Sequence, residues 1–140
     1  CRPGGIIAMA NWTPESSVAK QFAIGNRYVP PPAGIPAPVL WGDEEVVRER
    51  LGVFASGIAT TRQFIDFDYP FPPPEVVQFF RQYFGPTQLA FAALPADAQL
   101  AYTAELESLW REHNAATDGH TTIRAEYLEV IATRAESLPE

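Results

Sequence analysis

The sequence predicts an α/β fold, and three observations predict it. The turn Arg2-Pro3-Gly4-Gly5 leads into the uninterrupted apolar run Ile6-Ile7-Ala8-Met9-Ala10. Apolar and aromatic residues recur at helical spacing in several later stretches, and Ile58–Tyr69 changes to period two. Helical and strand periods therefore alternate along one chain, which is the pattern of a sheet flanked by helices.

The first element is a strand. Proline fixes one backbone angle of the turn and the glycines supply positive φ, so the turn joins Ile6–Ala10 to an element that would precede it. A continuous apolar run fits a strand covered on both faces, as in a parallel sheet between helices. Thr13-Pro14-Glu15 then has the order of a helix start, a hydroxyl cap followed by proline at the first helical position, with Val18, Ala19 and Phe22 on the buried face. Tyr28 to Pro38 is proline-rich and extended. It is either a covering loop that packs through its apolar neighbours or a ligand for a proline-reading domain.

A second helix is signalled by Trp41-Gly42-Asp43-Glu44-Glu45. Asp43 caps it, Glu44 and Glu45 sit at the positive end of its dipole, Arg48 and Arg50 lie near the negative end, and Gly52 closes it. In the following strand Ile65, Phe67 and Tyr69 share one face, and Phe64, Asp66 and Asp68 share a more solvated one. Phe71-Pro72-Pro73-Pro74 stops it. Val76, Phe79, Phe80, Tyr83 and Phe84 recur at helical spacing up to Gly85-Pro86, and a shorter helical stretch through Leu89, Phe91 and Leu94 follows. Pro95 opens the longest helix, with Tyr102, Leu106, Leu109, Trp110 and His113 in one stripe, a Glu107–Arg111 pair at i,i+4, and an end at Asp118-Gly119. Ala125–Thr133 is open: its helix formers compete with Tyr127, Val130, Ile131 and Thr133, which suit a pleated strand.

Composition narrows the function classes. The chain has 140 residues, 46% of them hydrophobic, which suffices for a sizeable core in one domain or part of one. A net charge of -7 with ten dispersed basic residues argues against a nucleic-acid partner. A single cysteine, Cys1, excludes an internal disulfide framework and fits a reducing compartment. No apolar run approaches the roughly 18 residues of a membrane span. The expectation is a cytoplasmic protein without a membrane partner.

Arg2-Pro3-Gly4-Gly5 followed by a hydrophobic strand resembles the segment entering the fifth strand of class I S-adenosylmethionine-dependent methyltransferases, where leucine, a basic residue, proline and two glycines are common. Cys1 stands where that pattern usually has leucine. Ala10–Glu15, Gly42 with its acidic helix start, the strand Phe64–Tyr69 and the closing Glu126–Ala132 are similar to the C-terminal half of the branch that includes ubiquinone/menaquinone-biosynthesis-type enzymes. The resemblance covers nearly the whole chain. It implies that residues 1–140 are the C-terminal half of a Rossmann-like methyltransferase domain, with strands five to seven in a three-stranded mixed sheet, flanking helices, and a helical insertion over 74–94. It also implies that 124–133 form a strand running antiparallel between the fifth and sixth strands.

In that family a glycine-rich turn after the first strand approaches the cofactor, and an acidic residue ending the second strand accepts the ribose hydroxyls. This sequence has no such motif: Gly4-Gly5 precedes a strand, and Gly34 and Gly42 lie in loops. S-adenosylmethionine is thus implied for the parent protein and not for this chain alone, which is expected to be inactive by itself. The implied partners are a small-molecule acceptor and the missing N-terminal half. A homodimer through the exposed sheet edge at Ile6–Ala10 is expected of the isolated half. The alternative is a non-catalytic binding or dimerisation module.

Ligands in open α/β sheets sit beyond the carboxyl ends of the strands, where Asn11 and Trp12 lie. Trp12 would wall a substrate and Asn11 would orient a polar group; equally, Asn11 and Thr13 would cap the next helix while Trp12 packs in the core. The family's insertion commonly covers the acceptor, which points to Tyr83 and Phe84 as lid residues if that aromatic face is not simply core. His113 is either a packed histidine or a base at the mouth of the site. With His120 it lacks cysteine or carboxylates at ligand spacing, so a metal site is not expected. Methyl transfer is an in-line displacement accelerated mainly by positioning, so this half needs no catalytic signature.

Overall fold

The structure, a computed structural model, describes residues 1–137. Its elements are β1 (Ile6–Trp12), α1 (Ser17–Tyr28), a short 3-10 helix (Pro38–Gly42), α2 (Glu44–Gly52), β2 (Ala55–Tyr69), α3 (Pro73–Tyr83), α4 (Gly85–Ala93), α5 (Ala96–His113) and β3 (Thr121–Arg134). The fold is α/β with five α-helices and one open three-stranded sheet in the order β1-β3-β2. β1 pairs antiparallel with β3, from Ile6 opposite Thr133 to Trp12 opposite Tyr127. Ser56 of β2 meets Thr133, and Asp68 meets Thr122, so β2 also runs opposite to β3. The sheet expected to be mixed is therefore antiparallel throughout, because the late strand separates the two earlier ones and opposes both.

The chain clusters into two compact units. One comprises Cys1–Ser16, Pro36–Ile65 and the described residues from Glu126; the other comprises Ser17–Ile35 and Asp66–Ala125.

In the first unit one face of the sheet is packed. Val47, Leu128 and Val130 are fully buried there, with Met9, Trp41, Leu51 and Ile58 around them. The register places Ile7, Met9 and Asn11 beside Ala132, Val130 and Leu128 on this face. The opposite face pairs Ile6, Ala8, Ala10 and Trp12 with Thr133, Ile131, Glu129 and Tyr127. Ile6 is 69% exposed and Ala8 and Ala10 are exposed. The expectation that Ile6–Ala10 is covered on both faces is corrected. It is a strand, but an edge strand with alternating burial, since α2 and Trp41 pack only one side of it.

Asp43 caps α2 as the sequence indicates, its carboxylate accepting from the backbone N–H groups of Glu45 and Val46 at 2.9 and 3.0 Å. Arg62 of β2 lies 2.8 Å from Glu126, 3.6 Å from Glu44 and 3.8 Å from Glu15. One cation thereby ties together the first turn of α2, β3 and the segment after β1.

The second unit is helical. Ile24, Val76, Val77, Phe91, Tyr102, Leu106, Trp110 and Ile123 form its core. Tyr69 sits at the centre of an aromatic cluster, 5.6 Å from Trp110 and 6.2 Å from Phe80. α1 begins at Ser17 rather than at Thr13, whose carbonyl instead accepts from Ser16 N–H in a turn. Its buried residues are Ala19, Gln21 and Ile24, while Val18 and Phe22 are half-buried. The proline-rich connector is exposed from Pro30 to Pro38 rather than packed. α5 ends at His113, earlier than Asp118-Gly119, because Asn114 takes over the backbone. Its side chain accepts from Ala116 and Thr122 N–H and donates to His120 O, forming a turn completed by Gly119 at φ 90°. Among the described residues no helix is long and apolar enough to cross a membrane.

Candidate functional site

The carboxyl end of β1 is built from close backbone packing. A Cβ placed on Gly42 would lie 2.0 Å from Trp12 O and 2.8 Å from Thr13 Cα. Only a glycine lets the 3-10 helix reach the strand end so closely. Thr13 N–H donates to Glu126 O at 3.3 Å, which fixes the chain on its other side. Asn11 faces the packed side opposite Leu128, and Trp12 faces the open side, meeting Tyr127 edge-on at 6.2 Å between ring centroids. Trp12, Tyr127, Ala10 and Ile65 frame a shallow apolar depression of about 230 Å³ on that open face. Asn11 Nδ2, Thr13 Oγ1 and Ser16 Oγ are buried and have no hydrogen-bond partner among the described residues. Thr13 therefore does not cap α1 with its side chain, and polarity concentrates where the strand ends.

The helical unit holds the other sequence-predicted residues, and it does not bring all of them together. Phe84 lines a cavity of about 450 Å³ between α1, the connector, α4 and α5, and its ring lies 6.2 Å from Phe22 and 5.4 Å from Phe80. Tyr83 is 64% exposed, packs its ring 5.0 Å from Phe79, and is not part of that lining. His113 is also outside it. Its Nδ1 lies 3.1 Å from Leu109 O and its Nε2 lies 2.9 Å from Lys20 Nζ. A neutral ring that donates from Nδ1 and accepts the Lys20 ammonium at Nε2 satisfies both contacts. To serve as a base it would have to release Lys20.

The sequence does not mark the cavity's buried polar members, Gln21, Thr87 and Tyr102, or the glycine beside them, Gly25, as site residues. Gln21 and Thr87 look like ordinary surface residues of a helix, and Tyr102 like core. The available signal was Gly25, a glycine within a helical stretch, where alanine would be the better helix former. Burial pushes the Tyr102 phenol above its ordinary pKa, an effect partly offset by the Thr87 hydroxyl beside it.

Next to Tyr102, whose ring lies 5.0 Å from that of Tyr28, the Tyr28 hydroxyl donates to Glu105 Oε1 at 2.6 Å and Arg27 pairs with the same carboxylate. The Tyr28 hydrogen bond, opposed by desolvation and aided by Arg27, holds Glu105 below its ordinary 4.5. A carboxyl lowered by folding binds fewer protons in the folded state. Its contribution is complete above 4.5 and fades as the pH falls through the lowered value. Because the pair is exposed the contribution is modest. Glu105→Gln is expected to flatten the acid limb of the stability profile, followed as urea midpoints between about pH 6 and pH 3. Parallel limbs for the two proteins would show that the network carries none of the pH dependence.

No family model matches the chain. It is 34% identical over 116 residues to the uncharacterized protein Rv1403c of Mycobacterium tuberculosis (strain ATCC 25618 / H37Rv), the match covering 81% of this chain and 42% of the relative. The same identity and coverage hold for the uncharacterized protein Mb1438c of Mycobacterium bovis (strain ATCC BAA-935 / AF2122/97). A second protein of that Mycobacterium tuberculosis strain, the uncharacterized protein Rv1405c, is 34% identical over 108 residues, covering 76% of this chain and 39% of the relative. The chain thus spans about two fifths of the length of the curated relatives it matches.

Proposed function

We propose that this chain is the C-terminal half of a class I S-adenosylmethionine-dependent methyltransferase acting on a small-molecule acceptor. The observation that carries this is the sheet order β1-β3-β2, with β3 antiparallel between two earlier strands. It is the order the sequence resemblance implies for the fifth, seventh and sixth strands. The free edge and uncovered apolar face of β1 add support, as does a length of two fifths of the matched relatives.

The residues present do not fit the methyl donor. The turn leading from β1 towards α1, Thr13–Ser16, contains no glycine. The glycines at positive φ are Gly4 and Gly119, each shortly before a strand, and Gly34 in the connector. None opens a helix after a strand, so this chain lacks the cradle that a nucleoside-bearing ligand needs. The role proposed for it is to complete the sheet and to present Asn11 and Trp12 at the strand end.

The test compares two proteins by calorimetry with S-adenosylmethionine: this chain alone, and a protein extended upstream to the full length of the matched relatives. The extended protein is expected to bind in the micromolar range and the chain alone not to bind. Absence of binding by the extended protein overturns the proposal, as does micromolar binding by the chain alone.

A further inference from the structure

We infer that the cavity of the helical unit is a binding site for a small, neutral aromatic molecule carrying one hydroxyl or carbonyl group. All of its lining residues belong to that unit, and although Phe84 and the lining residues of α4 lie in the stretch 74–94 expected to be the insertion, the inference rests on the cavity's own lining. At about 450 Å³ the cavity falls within the usual range of small-ligand sites, roughly 300–1,000 Å³.

No lining side chain is charged. A charged ligand would give up hydration with no ion to replace it, which selects a neutral one. Phe22 and Phe84 supply ring faces at the wall, and aromatic pairs favour offset or edge contacts at such separations. Of the four polar side chains in the lining Asn26 is exposed, and the three buried ones set the orientation. Gln21, Thr87 and Tyr102 are 7%, 2% and 2% exposed, yet all three line the cavity. The Gln21 carboxamide makes no hydrogen bond among the described residues. It offers both a donor and an acceptor, and a ligand hydroxyl or carbonyl would meet one of them.

Gly25 explains how the phenol stays approachable. A Cβ there would come within 3.3 Å of the Tyr102 hydroxyl oxygen. Glycine inside a helix weakens it relative to alanine. At this position it leaves open the space over Tyr102 that any side chain on α1 would fill. One bare backbone position, one carboxamide and a phenol–hydroxyl pair thus converge on an uncharged, partly open cavity with aromatic and aliphatic walls.

The probe is 2-naphthol, titrated calorimetrically into the chain, with naphthalene-2-sulfonate as its charged counterpart. Saturable one-to-one binding of 2-naphthol is expected, with the sulfonate at least about tenfold weaker. Gly25→Leu, which fills the space over Tyr102, is expected to weaken 2-naphthol at least about tenfold while the protein still melts cooperatively. If that variant does not fold, Thr87→Val decides: it removes the hydroxyl beside Tyr102 at nearly constant volume and is expected to weaken the probe at least about threefold. Absence of saturable binding, equal binding of the sulfonate, or unchanged affinity in the folded variant overturns the inference. The last outcome would place the probe elsewhere, for example on the open sheet face at Trp12 and Tyr127.

Discussion

Gly42→Ala is expected to destabilise the sheet-bearing unit by about 3 kcal/mol or more, at the upper end of what overpacking costs. The added methyl would sit 2.0 Å from Trp12 O, 2.5 Å from Trp12 C and 2.8 Å from Thr13 Cα. All three are backbone atoms, so no side chain can swing away to make room. Nor can the strand end retreat easily: Trp12 is held in register opposite Tyr127, and Thr13 N–H is bonded to Glu126 O. The 3-10 helix is fixed in turn by Asp43, which begins α2, and by Trp41, over whose ring Arg50 lies at 4.5 Å. Native domains are stable by only about 5–15 kcal/mol, so the loss would be a large share of the total. Gly52→Ala is the control. Nothing lies within 4 Å of a Cβ there, its φ is negative, and it ends a helix. It should be neutral or stabilising by up to about 1 kcal/mol. Urea midpoints that fall together for the two variants would show that the close approach at Trp12 is not what holds this corner.

That corner also shows where sequence alone stops. Asp43 was legible because capping is local: an acidic side chain two and three residues before the N–H groups it serves needs no tertiary partner. The Thr13-Pro14-Glu15 pattern carried the same kind of local signal and misled. Thr13 is pinned by Glu126 and approached by Gly42, both distant in sequence, so α1 starts later. The apolar run of β1 identified a strand, but whether one or both faces are covered depends on which elements are present to cover them. Propensity leaves β3 undecided, and only the family resemblance implies a strand there. Its observed span, Thr121–Arg134, starts earlier and ends later than the 124–133 expected. Of the cavity's lining, the sequence marks Phe22, Leu89 and Tyr102 as apolar-face residues and only Phe84 as a site residue. Gln21 and Gly25 are four apart on α1, but Thr87 and Tyr102 come from two other helices, and no spacing rule connects positions on separate elements.

The isolated chain is expected to self-associate through β1, and charge on that strand is expected to abolish it. Among the described residues β1 has β3 on one side and no strand on the other, so its outer edge makes no ladder, and the Ile6 carbonyl there accepts only from the Cys1 thiol at 4.0 Å. Such an edge is a template for another strand unless charge, proline or a bulge blocks it. β1 between Ile6 and Trp12 carries none of these. Its exposed face adds apolar area, with Ile6 69%, Ile131 38% and Ile65 45% exposed. Two copies meeting antiparallel across a two-fold axis would satisfy both edges with one contact. Gel filtration at rising concentration should show a dimer or larger species, and Ile6→Glu with Ala8→Glu should weaken association at least about tenfold, equivalent to about 1.4 kcal/mol. Leu100→Glu, on a residue of α5 that is 74% exposed in the helical unit, adds a like charge outside the strand and should leave association unchanged. A chain that elutes as a monomer at every concentration, or a doubly charged strand that associates like the parent, would refute the edge as the contact. If the methyltransferase proposal holds, the upstream segment occupies this edge, and the extended protein should elute as a monomer at concentrations where the isolated half does not.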